Sequence, residues 1–146
     1  MAKIVASVMI DRPIEEVWKF ITDLSKFPKW DSEVLEVRQT STGPLGLGST
    51  VEARQKMRNM TLPQRCIEYE PNRKFSFVVT SGPGKGSIVT FSMETIEGKT
   101  KFTKVDDLKF SGFYKLVGPF ITPTMRREVV AANGNLKRIL ESEAKP

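Results

Sequence analysis

The residues of this chain that can do chemistry are few, and one absence limits them further: the 146-residue sequence contains no histidine. That removes the commonest general base, the commonest metal ligand and every Ser-His or Cys-His nucleophile pair. Carboxylates, tyrosines, lysines and one cysteine remain. Asp106 and Asp107 stand together in a stretch that is otherwise apolar and basic. Burial of one of them would raise its pKa and fit it to take a proton from an enolisable ketone. Neighbours on a strand face opposite ways, so at most one can serve, and a solvated turn or a bulge is the competing reading. Tyr69 and Tyr114 can donate a hydrogen bond to a carbonyl, or act as ordinary half-buried tyrosines. Cys66 has no histidine to activate it. The run from Gly82 to Ser87 has the glycines of a phosphate loop without the G-x-x-x-x-G-K-[ST] spacing, and it joins two strands, so it is a hairpin. Asp106, Asp107 and Tyr69 are therefore candidates only. No catalytic residue is assigned, and no metal or cofactor is expected.

Two polar residues on apolar faces point to binding instead. Gln55 falls on the apolar parity of its strand, between Ala53 and Met57. Asn133 lies at the edge of a helical apolar face, one turn beyond Val129. A buried polar side chain needs a partner, which can be protein, water or ligand.

The elements that must position these residues follow from periodicity. Residues 3–10 read as a strand with Ile4, Ala6, Val8 and Ile10 on one face. Asp11 stands near a helix N-cap and Pro13 in the first turn, and Ile14, Val17, Trp18 and Ile21 form the buried stripe of a helix to about Thr22. A second short helix starts at Asp23-Leu24-Ser25 and is expected to stop at Pro28. Six further strands follow, with turns at Gly43–Gly48, Glu70-Pro71-Asn72, Gly82–Gly86 and Glu97-Gly98-Lys99. The strand from Thr100 to Phe110 is irregular: Phe102 and Val105 differ in parity, which suggests a bulge or an early exit. Ser111 to Pro119 reads as a loop, and about Thr122 to Glu143 as the longest helix, with Gly134 inside it.

Hairpin connections imply an antiparallel sheet with one buried face, and the long helix must cover it. A twisted sheet curling around a helix leaves space for a ligand. The residues expected to line it are Trp30, Gln55, Met57 and Tyr69, the inward aromatics Phe75, Phe77 and Phe91, and Met93, Met125, Val129 and Asn133. Trp30 can equally be a core anchor, Trp18 reads as core, and methionines suit irregular gaps as well as pockets.

Length and composition set the bounds. The chain is expected to be a single domain over residues 1–146, without a signal peptide or a transmembrane segment. One cysteine excludes an internal disulfide and fits a cytoplasmic location. The net charge of +6 raises nucleic acid and anionic membranes as partners. The basic residues are nevertheless interleaved with acids, and Arg54-Lys56-Arg58 and Lys99-Lys101-Lys104 read as solvated sheet faces. Neither nucleic-acid binding nor membrane insertion is expected.

Several pieces together resemble the SRPBCC, or START-like helix-grip, superfamily, in its polyketide cyclase/dehydrase-like branch. They are Ile10 to Trp18, Phe27-Pro28-Lys29-Trp30-Asp31, Gly43 to Ser49, Glu68-Tyr69-Glu70-Pro71, and Met125-Arg126-Arg127-Glu128 through Leu140. The resemblance spans the chain and implies an α+β helix-grip fold. In that fold a curved antiparallel seven-stranded sheet wraps around a long C-terminal helix, with two short helices between strands 1 and 2. It also implies a hydrophobic cavity, and it carries over no catalytic residue. The reading is a protein that binds a small hydrophobic or aromatic molecule or a lipid. The alternatives are a polyketide cyclase or dehydratase working by substrate positioning, and a protein-interaction or accessory role.

Overall fold

The computed structural model describes residues 2–56, 59–109 and 113–143. Strand β1 (Ala2–Ile10) leads into helix α1 (Ile14–Ile21). A single 3-10 turn over Leu24–Lys26 then runs into the short helix α2 (Phe27–Trp30). Strands β2 (Val34–Gln39), β3 (Thr50–Gln55), β4 (Met60–Glu70), β5 (Lys74–Val79), β6 (Ile88–Ile96) and β7 (Lys99–Leu108) follow, and helix α3 (Phe113–Glu143) comes last. All seven strands join one antiparallel sheet in the order β1-β7-β6-β5-β4-β3-β2. The fold is the expected helix grip.

The inward parity of the strands meets the apolar face of α3. Phe75, Phe77, Phe91, Met93 and Phe102 form one core with Ala132, Leu136 and Leu140 of α3 and with Val17, Trp18 and Ile21 of α1. Each of the larger aliphatic, methionine and phenylalanine side chains contributes about 1.5–3 kcal/mol by leaving water. Edge-to-face ring pairs, Trp18 on Tyr69 and on Phe75, fix its geometry. The β6–β7 hairpin turns at Glu97 and Gly98, both at positive φ (51° and 80°), the pair of angles a two-residue turn between twisted strands requires.

Four local expectations are corrected. Asp11 does not cap α1: Pro13 is the cap residue, without a side-chain bond, and the Asp11 amide instead donates to Glu141 Oε2 at 2.9 Å. Pro28 does not stop the second helix but lies in the first turn of α2, where its missing N–H costs nothing. Of the bulge or early exit expected in β7, the bulge is absent, since its register with β1 and β6 is continuous, and the strand ends at Leu108. Helix α3 starts at Phe113 and runs through Pro119 and Pro123 rather than starting near Thr122. Its side carrying Val117, Gly118 and Ile121 is buried or half-buried, and this packing overrides the local helix-breaking preference.

Candidate functional site

Between the inner face of the sheet and the first half of α3 lies a cavity of about 210 Å³. Its walls are apolar: Val51 and Ala53 of β3, Leu62 of β4, Phe77 and Val79 of β5, and Val89 and Phe91 of β6. Met125 and Val129 close it from α3, and Leu24 and Phe27 from the short-helix segment. Strands β3 to β7 supply alternate residues because side chains on a strand have a period of two, while on β2 a register irregularity between Val34 and Glu36 brings Val34 and Val37 to the lining.

One part of the lining is charged. On β7 the inward parity runs Phe102, Lys104, Asp106, Leu108, and the last three line the cavity. Lys104 Nζ lies 3.5 Å from Asp106 Oδ2 and 3.8 Å from Asp31 Oδ2. It also sits 5.9 Å above the Phe91 ring. Glu33 and, from α3, Glu128 complete the charged lining. Burial pushes the Asp106 carboxyl above its usual range, although neighbouring Lys104 pulls the other way. Glu128 is raised as well, first by burial and then by the charges of Glu33 and Asp31. Asp31 is tied down locally: its Oδ1 accepts the Glu33 amide at 3.1 Å.

The structure brings Gln55, Phe77, Phe91, Met125 and Val129 together around the cavity, and Asp106 with them. The other expected lining residues lie elsewhere. Trp30 is fully buried in the core against Phe27, Phe91 and Phe102, because the turn of α2 folds it beneath the sheet. Phe75 and Met93 are core residues further along their strands. Tyr69 packs edge-on against Trp18, away from the cavity, where burial raises its phenol pKa. Asn133 is buried and donates from Nδ2 to the Ala6 carbonyl at 3.1 Å, so its partner is the backbone of β1. Met57, and the side chain of Tyr114, lie outside the described residues. Asp107 takes the outward parity of β7. Cys66 is buried, and burial raises its thiol pKa, which makes it a poor nucleophile.

Sequence reading misses Asp31, Glu33, Lys104 and Glu128. Lys104 reads there with Lys99 and Lys101 as solvated surface, but its parity is opposite to theirs and turns it inward. Strict alternation counted from Phe102 is the signal that finds both it and Asp106.

A sheet curled on a long helix, with a cavity between them walled by apolar side chains, is a helix-grip architecture. The family model described as polyketide cyclase/dehydrase and lipid transport matches residues 1–141, and the chain belongs to that family. A search of the curated proteins finds no match. Among solved structures, the protein TTHA0849 from Thermus thermophilus is similar with a TM-score of 0.81 at 13% identity, covering 99% of this chain and 100% of that one. The ZhuI aromatase/cyclase from Streptomyces sp. R1128 gives 0.79 at 14% identity, with coverage of 99% and 96%. A START superfamily protein from Mycobacterium smegmatis gives 0.73 at 12% identity, with coverage of 94% and 98%. At these identities the likeness is one of fold. Among the described residues no helix is long and apolar enough to cross a membrane.

Proposed function

We propose that this chain is a single binding domain for a small, largely apolar or aromatic molecule held between α3 and the sheet. The observation that carries this reading is the cavity itself, with apolar walls from the sheet and α3 and a charged patch on one side. Its volume of about 210 Å³ is below the ~300–1,000 Å³ usual for drug-sized ligands. The ligand is therefore on the scale of one or two rings or a short acyl chain. Apolar burial supplies affinity, and Gln55 and the charged groups fix orientation.

The test is a titration followed by amide chemical shifts, using naphthalene derivatives as probes. Shifts are expected at Phe77, Val89, Met125 and Val129, and not at Val5 or Leu35 on the outside. Saturable binding that leaves those four amides unmoved would defeat the pocket.

A second reading is supported by Asp106. It is a carboxylate of raised pKa at the wall of an apolar cavity, which is the environment a general base for an enolisable ketone needs. In that role it would take the α-proton and leave an enolate, and cyclisation would rest on positioning of the chain. The small volume argues against a long folded polyketide and keeps binding first. Asp106→Asn separates the two readings: under the enzyme reading turnover of an enolisable aryl ketone is abolished, and unchanged turnover removes the base.

A further inference from the structure

The chain carries an excess of six positive charges, yet its cavity is lined by four carboxylates, Asp31, Glu33, Asp106 and Glu128, and by one cation, Lys104. A lining drawn from the average composition of this chain would be basic. Lys104 does not offset the imbalance toward an incoming anion, because its ammonium already lies within 4 Å of two of the carboxylates. Asp106 Oδ2 is shut off from solvent, and Lys104, which it shares with Asp31, is the one cation beside it in the cavity lining. Two buried carboxylates that share one cation are costly to keep charged, and the cost is relieved when a second cation arrives. Glu128 faces the cavity from α3 and feels Glu33 and Asp31 as like charges across it. No three of these acids converge closely enough among the described residues to hold a metal ion, so the cation that suits them is organic.

Resting on the binding reading above, we infer that the cavity takes an apolar molecule bearing a protonated amine, with the amine donating to Asp106 and lying between it and Glu128. The apolar walls take the ring or chain, and the carboxylates take the ammonium. An acceptor-only head group such as a carboxylate meets repulsion from the lining carboxylates and finds only a lysine that is already paired.

The experiment is isothermal titration of the wild-type chain at neutral pH with three probes of nearly equal size: naphthylethylamine, naphthylethanol and naphthylacetate. The amine is expected to bind at least roughly tenfold tighter than the alcohol, the ratio that one charge-assisted hydrogen bond supplies. The acid is expected to bind most weakly. Asp106→Asn should remove most of the preference for the amine while leaving alcohol affinity within about twofold, and Glu128→Gln should remove part of it. Equal affinity for amine and alcohol, or tighter binding of the acid, overturns the inference and leaves the cavity reading standing. Binding by none of the three overturns both. Retention of the full amine preference in both variants also overturns the inference, because the preference would then arise elsewhere.

Discussion

Asp106 couples the cavity to the stability of the protein. Its native pKa lies above the unfolded one, so over that interval the native state keeps a proton that the unfolded state has released. Stability therefore falls as pH rises through the interval, and the full penalty is present above it. Asp106→Asn removes this titration, while Glu128, raised in the same direction, remains in both proteins. At pH 8 the variant is expected to melt above the wild type. The gap should close as pH falls toward the ordinary aspartate value of about 3.9. Thermal melts across that range check this, and a wild type that melts level with or above the variant at pH 8 would refute it. The inward placement of Asp106 is hard to see in the sequence because Val105 looks like a core residue. Val105 in fact stands opposite Val5, which is 54% exposed, and the two form an apolar cross-strand pair on the outer face. That pair imitates a core parity and makes a regular strand look bulged. Trp30 misleads in the other direction, since an aromatic at a strand entrance reads as pocket wall until the one-turn helix α2 rotates it under the sheet.

At the scale of elements, α3 does two jobs along its length. Its later part is laced to β1: Asn133 donates to the Ala6 carbonyl and Lys137 Nζ to the Met9 carbonyl at 2.8 Å, while Glu141 accepts the Asp11 amide. Its earlier part carries Met125, Glu128 and Val129 over the cavity and contains both prolines. The helix and its apolar face from Met125 to Leu140 are legible from periodicity. Its first turns are not, because Pro119 and Pro123 are strong local stop signals and only tertiary burial outweighs them. Gly134 shows the opposite case, a local weakness with no tertiary purpose visible in the structure. It is exposed, sits mid-helix, and a Cβ added there meets nothing within 4 Å. Gly134→Ala should therefore stabilise the protein by about 1 kcal/mol, largely through lost entropy of the unfolded chain. The expected readout is a higher urea midpoint with an unchanged slope. A midpoint that stays level or falls would show that the helix needs glycine there for a reason other than space.

For the whole molecule, the order β1-β7-β6-β5-β4-β3-β2 separates two kinds of closure. From β2 to β7 every strand pairs with its neighbour in sequence, so this meander forms by short loops. β1 instead pairs with β7 far along the chain, Ala2 opposite Leu108, and also receives α3. Closing so long a loop costs entropy before any contact rewards it. The meander is therefore expected to organise first, with β1 and α3 docking on it after the rate-limiting step. Mutations can divide these stages. Phe91→Leu in β6 perturbs a ring stacked on Phe75 across the β5–β6 pair, and it should slow folding. Asn133→Ala removes a buried bond between α3 and β1 worth about 1 kcal/mol or more, and it should chiefly speed unfolding. Stopped-flow folding and unfolding rates in urea would give φ near zero for Asn133→Ala and a clearly larger value for Phe91→Leu. The reverse order would mean that the terminal strand and helix nucleate the fold. The cavity would then be enclosed from the start of folding instead of being sealed at its end by α3.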